Sequence, residues 1–337
     1  MKAVYITEPG GLANLVYGER PEPAIGPGEV LIRVKASAAE VRPHAGGRAQ
    51  MPLILGGDVA GVVEDVSTDV STVRTGQRVL LNPAVSCGHC EYCLSGDHGT
   101  CRQRCRLGTE FDGGYAEFVK VPAENVHEIP DSLTFEEAAA IPVAFFTAWH
   151  LLITRAQLRA GETVMVTGAG GSVGSAAMQI ARWAGARAFA AVGSDSKLQR
   201  AKQLGADGGV NYGAEDLSPA VRRLTDGRGV DVIADTVGAS LWQHNLASLA
   251  VGGRLVVCGF RGGGDVHLNV SQLIGPRLNI LGSGPLGSKV EVNKVMEAVR
   301  RGEFHGIVDR TFALEDASLA HKVIESRDFF GKLILLP

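Results

Sequence analysis

The sequence predicts an α/β protein of two domains, a compact β-barrel-like domain and a doubly wound parallel sheet. Three observations carry that expectation. A short apolar, β-branched run, Thr163–Thr167, leads into a glycine cluster and then into an Ala-rich helical pattern. From there strand and helix patterns alternate to about residue 258, as a parallel sheet wound on both faces requires. Residues 1 to about 125 instead hold many short β-patterns punctuated by Gly and Pro, with little helix. At 337 residues the chain is long enough for both domains.

In chain order, the first domain offers strands at residues 2–6, 29–36, 61–66, 78–81 and 115–121. Pro21, Pro23, Pro27 and Gly28 mark the turn before the second of these. From about Ser132 the pattern turns helical. Asp131 or Ser132 is expected to cap a helix starting at Thr134, with Glu136 and Glu137 in its favourable first turn. The apolar stretch 138–153 is interrupted by Pro142, Thr147 and His150 and falls short of the ~20 residues of a membrane span. It reads as buried helix. After the glycine cluster, apolar residues at Val173, Ala177, Ile180, Ala181 and Ala184 keep helical spacing. Strands are then expected at 187–192, 209–212, 230–235 and 254–258, and helices at 197–204, 218–225 and 241–250. Helices at 289–301 and 315–326 follow, and an apolar strand at 332–336 is expected to return to the β-domain.

Two motifs carry chemistry. Ala169-Gly170-Gly171-Ser172-Val173-Gly174 matches a dinucleotide-binding loop whose first glycine is replaced by Ala169. Between a strand and a helix, such a loop lets the backbone approach a pyrophosphate and aims free N–H groups at it. Cys87, Cys90, Cys93 and Cys101 fall within one short loop-rich segment, and four soft thiolates suit tetrahedral Zn²⁺. Four thiolates fill the coordination sphere, so this metal is expected to be structural. An Fe–S cluster fits the spacing alone but has no further redox context. His89 and His98 are then unneeded, Cys105 is a bystander, and Cys258 is a small core residue.

Composition narrows the function classes. Apolar residues make up 45% and charged residues 20% of the chain, as in ordinary globular proteins. A net charge of −3 gives no reason to expect nucleic acid or an acidic membrane as partner. The first ten residues have no apolar core of signal-peptide length, so a cytoplasmic protein acting on a small molecule is expected.

Together these features resemble the medium-chain dehydrogenase/reductase superfamily over essentially the whole chain. The resemblance rests on Met1-Lys-Ala-Val4, the segment from Pro27 to Ala36, Leu55-Gly-Gly-Asp-Val-Ala-Gly-Val-Val63 and the four-cysteine lobe. It continues through Asp112-Gly-Gly-Tyr-Ala-Glu-Phe118, the glycine loop, Asp231-Val-Ile-Ala-Asp235 and Phe330-Gly-Lys332. It implies a GroES-like catalytic domain (1–127 and 288–337), a Rossmann domain (128–287), a cleft between them, and a homodimer or homotetramer.

Departures from the family pattern are informative. Zinc alcohol dehydrogenases bind a catalytic zinc through a Cys, a His and a Cys or acid. The corresponding positions here are Glu40, Gly57 and about Val143, with Asp58 in place of the acidic neighbour. Glycine and valine side chains offer no donor, so a catalytic zinc is not expected; the alternative is a site completed by His44 if the local alignment has a gap. The segments Pro142 to Trp149, Gly168 to Gly174 and Val192 to Leu198 are similar instead to the zinc-free quinone-oxidoreductase branch. The chain reads as a mosaic of a structural zinc lobe and a quinone-reductase-like active site.

The end of the second Rossmann strand, where NAD enzymes place an acid, holds Val192 and Gly193, with Asp195 beyond them. Ser194 and Lys197 provide donors and a positive charge for a 2′-phosphate, and Tyr212 matches a residue lining that pocket in the quinone-reductase branch. The expected cofactor is therefore NADPH. Gly259, Phe260 and Ser283 complete the cofactor-binding candidates that the resemblance implies. Glu40, Asp58 and Thr147 are the catalytic candidates, with Arg42 and His44 nearby; Glu40 and Asp58 have the alternative of pairing with arginines such as Arg42. The expected function is NADPH-dependent reduction of a quinone, an α,β-unsaturated carbonyl or a related carbonyl. The alternatives are a zinc-dependent alcohol dehydrogenase and a catalytically silent NADPH-binding protein.

Overall fold

The computed structural model describes residues 1–10, 14–40, 49–284 and 287–337. Arg42 and His44 lie outside the described residues. The chain divides into two compact units, Met1–Val143 with Ser288–Pro337, and Ala144–Gly287.

The first unit begins with β1 (Lys2–Ile6), β2 (Leu15–Glu19), β3 (Glu29–Ala38), β4 (Leu53–Ile54), β5 (Asp58–Val66) and β6 (Arg78–Leu81). It continues with β7 (Ala84–Val85), α1 (Glu91–Leu94), β8 (Cys105–Arg106), β9 (Phe118–Pro122), β10 (Val126–Glu128) and α2 (Phe135–Ala139). Strand β3 is its axis. Val30, Ile32 and Val34 alternate along it with outward residues and pack with Val59, Val63, Val79, Leu81, Val119 and Val121, as a two-residue period demands. Its neighbour β5 runs antiparallel, with Val34 opposite Gly61 and Ala38 opposite Asp58. That register brings the end of β3, and Glu40 just beyond it, beside the start of β5.

Three features of this unit differ from expectation. Strand β2 was not anticipated from the pattern: Leu-Val-Tyr-Gly-Glu has no buried alternation, and Val16 and Tyr17 are exposed. It forms because its backbone completes the antiparallel ladder to β1, from Lys2 opposite Glu19 to Ile6 opposite Leu15. The cap of α2 is Thr134, not Asp131 or Ser132. Its hydroxyl accepts from the Glu137 amide while the Glu137 carboxylate accepts from the Thr134 amide, a complete capping box. Residues 128–143 also lie with the first unit rather than the second, because α2 packs on β3, β5 and β6.

In the second unit, α3 (Pro142–Trp149), which enters across the boundary, runs on as π-helix over His150–Arg155. The sheet is built from β11 (Thr163–Thr167), β12 (Arg187–Val192), β13 (Gly208–Asn211), β14 (Val230–Asp235), β15 (Leu249–Val257) and β16 (Asn279–Gly282). Between them run α4 (Ser172–Trp183), α5 (Asp195–Gln203), α6 (Leu217–Leu224), α7 (Trp242–Ser248) and the short α8 (Ser271–Ile274). Every pairing is parallel and the order is β13-β12-β11-β14-β15-β16. This is the doubly wound order of a Rossmann fold, with the topological switch between β11 and β14.

The chain then returns to the first unit through α9 (Lys289–Arg300), β17 (Val308–Ala313), α10 (Ala317–Ser326) and β18 (Lys332–Leu336). β18 pairs with β17 and, at Ile334 opposite Ala38, with β3. Lys332 is thereby placed against the start of β5. No helix among the described residues is long and apolar enough to cross a membrane.

Candidate active site and metal lobe

In the first unit the catalytic candidates Glu40 and Asp58 are both buried, at 8% and 0% exposure, and both carry partners. Asp58 Oδ2 accepts from Lys332 Nζ at 2.5 Å, and Oδ1 accepts from the Val143 amide at 2.7 Å. Glu40 Oε1 accepts from the Gly57 amide at 2.7 Å and from Arg106 Nη2 at 3.1 Å. Behind them the Tyr115 hydroxyl accepts from the Glu40 amide at 2.8 Å and lies 3.2 Å from His321 Nε2. Burial pushes His321 down to about 4, so its ring is neutral at ordinary pH and shares a hydrogen bond with the Tyr115 hydroxyl. Burial also raises the Tyr115 phenol well above its usual range.

Gly57 is pressed into this cluster. A Cβ there would sit 2.8 Å from Glu40 Oε1 and 2.9 Å from the Leu107 carbonyl. A histidine, the residue that zinc alcohol dehydrogenases need at this place, has no room. Glu40, meanwhile, is committed to a guanidinium. Such a donor set does not fit a catalytic zinc, which needs three protein ligands and an open position. Sequence reasoning missed Arg106: it lies 66 residues from Glu40, and nothing in its neighbourhood but the metal lobe marks it.

In the second unit the nucleotide candidates collect on one edge. The Ala169–Gly174 loop follows β11, Ser194 and Lys197 follow β12, and Tyr212 follows β13. Gly259 and Phe260 follow β15, and Ser283 follows β16. All therefore sit at the carboxyl ends of parallel strands, where ligands bind in open α/β sheets. Two glycines shape the loop. Gly168 has φ +66°, in the left-handed region, and Gly174 faces the Gly168 carbonyl so closely that a Cβ would lie 2.3 Å from it. Gly171 is the N-cap of α4 and offers no side chain to the first turn, leaving its amides for an anion.

At the end of β12, Gly193 lies beside Tyr212, whose ring would be 3.5 Å from a Cβ there. Ser194 caps α5, its hydroxyl accepting from the Lys197 amide at 3.4 Å. Asp195, the nearest acid, accepts from Asn211 Nδ2 at 2.9 Å, which ties it to the next strand. The third catalytic candidate, Thr147 on α3, is 4% exposed, and its hydroxyl has no hydrogen-bond partner among the described residues. A buried polar atom without a partner fits a bound group absent from the structure. Phe260 is 62% exposed, and the Ser283 hydroxyl donates to the Gly284 carbonyl at 3.4 Å.

The Sγ atoms of Cys87, Cys90, Cys93 and Cys101 all lie within 4.8 Å of one another. Three of their separations are 3.5, 3.5 and 3.9 Å. A Zn–S bond of about 2.3 Å in a tetrahedron implies S–S edges of about 3.8 Å, whereas a disulfide would bring two sulfurs to about 2.05 Å. The four thiols are free, and their geometry fits a soft tetrahedral cation. Amide N–H groups of Cys93 and Arg102 hold Cys90 down to about 6, while burial pushes Cys93 up to about 12. Cys105 lies outside the cluster, its Sγ near the Gln103 carbonyl. Cys258 follows the end of β15 rather than lying in it; burial and Asp235 raise its thiol to about 12.

Comparison with known proteins fits this architecture. The sequence profile of the alcohol dehydrogenase GroES-like domain matches residues 26–131, and that of the zinc-binding dehydrogenase domain matches residues 172–301. Quinone oxidoreductase-like protein 2 of Bos taurus is 33% identical over 298 residues, spanning 86% of this chain and 77% of its own length. The chain belongs to the medium-chain dehydrogenase/reductase superfamily. It is an oxidoreductase of that superfamily. Acryloyl-coenzyme A reductase of Sulfurisphaera tokodaii is 29% identical over the full length of both chains. A crystal structure of an NAD-dependent alcohol dehydrogenase superposes with a TM-score of 0.95 at 38% identity, covering 100% of both chains. Members of this superfamily thus carry different names for their chemistry, and the site residues must discriminate among them.

Proposed function

We propose that this protein is an NADPH-dependent reductase of conjugated carbonyl compounds, α,β-unsaturated carbonyls foremost and quinones second, with one structural zinc and no catalytic zinc. The observation that carries this reading is the Glu40–Arg106 pair closed over Gly57. It occupies the positions where an alcohol dehydrogenase of this superfamily needs metal donors. Without a Lewis acid, oxidation of a plain alcohol has nothing to stabilise the alkoxide. A conjugated acceptor spreads the developing charge over several atoms and needs less help. The relative named acryloyl-coenzyme A reductase acts, by its name, on such an acceptor.

The cofactor, when bound, supplies the hydride. The Ala169-Gly170-Gly171-Ser172-Val173-Gly174 loop and the first turn of α4 would hold its pyrophosphate. Ser194, Lys197 and Tyr212 would hold the 2′-phosphate, with Asp195 kept away by Asn211. Gly259, Phe260 and Ser283 would line the rest of its length, and the unpartnered Thr147 hydroxyl would bond a polar group of cofactor or substrate. The four thiolates would hold a structural zinc that stiffens the loop from residue 87 to 101.

A second reading, an NAD-dependent alcohol dehydrogenase, is favoured by the solved structure of that name. Assays with both cofactors, on enoyl thioesters, quinones and primary and secondary alcohols, separate the two. Turnover of alcohols with NAD⁺ above that of enoyl thioesters with NADPH would refute the proposal. Stoichiometric NADPH binding with no turnover of any of these would instead support the silent binding protein.

A further inference from the structure

We infer that Arg106 is the electrophile of this site: a fixed cation that bonds the substrate's carbonyl oxygen as negative charge gathers there, so that unsaturated thioesters and acids are preferred over quinones. This rests on the reductase reading above. Glu40 is its positioning residue.

Little of the hydrogen-bonding capacity of Arg106 is used. Its side chain is 27% exposed, yet Nε is buried without a hydrogen-bond partner among the described residues. An arginine kept only to close an ion pair would use its fork, with two parallel bonds to both carboxylate oxygens. Here Nη2 alone reaches Glu40, and it reaches the oxygen that already accepts from the Gly57 amide. The same turn carries a second atom of this kind, the Thr109 hydroxyl, buried and unpartnered. Unsatisfied buried donors are rare in native proteins and call for a missing acceptor.

The mounting of Arg106 is rigid. It ends the β7–β8 ladder opposite Ala84, and its amide donates to Glu110 Oε2 at 2.8 Å. Its carbonyl accepts from the Thr109 and Glu110 amides. Glu40 keeps the guanidinium firmly protonated. Glu40, Asp58 and Glu110 all act on the Arg106 guanidinium, and Lys332 pairs with Asp58, so Arg106 and Lys332 are the cations that offset these three carboxylates. Preorganised donors of this sort act most where charge develops, not on the ground state.

The β-carbon of the C=C–C=O unit accepts a hydride from the reduced nicotinamide of NADPH, and the π pair moves to give an enolate. Its oxygen carries the charge at the guanidinium. A proton from water then adds to the α-carbon, the C=O bond re-forms, and the products are the saturated carbonyl compound and NADP⁺.

The test uses the full-length protein with the crotonyl thioester of N-acetylcysteamine, 2,6-dimethylbenzoquinone, and the acetoacetyl thioester of N-acetylcysteamine. The last ionises to an enolate that absorbs in the near ultraviolet and so reports bound oxyanion without turnover. Arg106→Gln is expected to lower kcat on the crotonyl thioester by about 100-fold and on the quinone by about 10-fold or less. It is also expected to abolish the enolate absorbance that the wild type induces at neutral pH. Glu40→Gln should lower kcat less and leave some enolate signal. If Arg106→Gln does not fold, Arg106→Lys, which keeps the charge without the fork, is expected to lose about 10-fold on the thioester. Thioester turnover within about 3-fold of wild type and an unchanged enolate signal would overturn the inference while leaving the reductase function standing. Absence of wild-type turnover would refute the function, and the enolate signal would still decide the role of Arg106.

Discussion

Glu40 Oε1 is clamped between Arg106 Nη2 at 3.1 Å and the Gly57 amide at 2.7 Å. The carboxylate is thereby held against the backbone at the one place where a metal-binding histidine would have to enter. Gly57→His should not recruit a second zinc. Its Cβ would overlap Glu40 Oε1 and the Leu107 carbonyl, so overpacking is expected to cost about 1–3 kcal/mol. Zinc content and urea unfolding check this: the metal should stay at one per chain while the midpoint falls.

Asp58 is better read as a structural ion than as a proton donor. Its side chain is 1% exposed and that of Lys332 8% exposed, so the pair lies away from water. Asp58→Asn leaves Lys332 buried without its counter-charge, which typically costs about 3–5 kcal/mol. Pairing it with Lys332→Met should recover most of that loss in urea unfolding. A single variant that stays fully stable but loses turnover would return Asp58 to the chemistry.

That contrast shows what a linear reading reaches. Strand–glycine–helix order, the strand–helix alternation and the cysteine spacing are local, and each is legible because its chemistry is set by neighbours in sequence. Strands 187–192 and 332–336 are found at their expected residues for the same reason. The partners of the candidate acids are not local. Lys332 is 274 residues from Asp58 and Arg106 is 66 from Glu40, and only the β3 register to β5 and β18 brings the first pair together. Strand β2 was hidden because pairing, not side-chain burial, makes it.

Cofactor preference rests on the end of β12. A charge-assisted hydrogen bond contributes roughly 1.5–3 kcal/mol. Lys197→Ala is therefore expected to weaken NADPH by on the order of 10- to 100-fold and to leave NADH nearly unchanged. Fluorescence titration with both cofactors checks it, and equal losses would contradict the assignment of the 2′-phosphate site.

Acid stability should report His321. Burial holds it at about 4 against an unperturbed 6.5, so the unfolded chain binds its proton first. Stability is then whole above about pH 6.5 and lost as pH falls toward 4, by about 3 kcal/mol for this group. His127, also lowered to about 4 by burial and Arg300, adds a loss of the same sign. His321→Gln keeps an acceptor for Tyr115 and removes the titration. Its urea midpoint should fall less steeply between pH 7 and 4.5 than that of the wild type.

The most direct test of the account is turnover measured on protein of known metal content. On chains carrying one zinc each, the account predicts NADPH-dependent reduction of the crotonyl thioester at a kcat/KM well above that for any alcohol with NADP⁺ or NAD⁺. Alcohol oxidation that rises with a second bound zinc, with no thioester reduction, would contradict it.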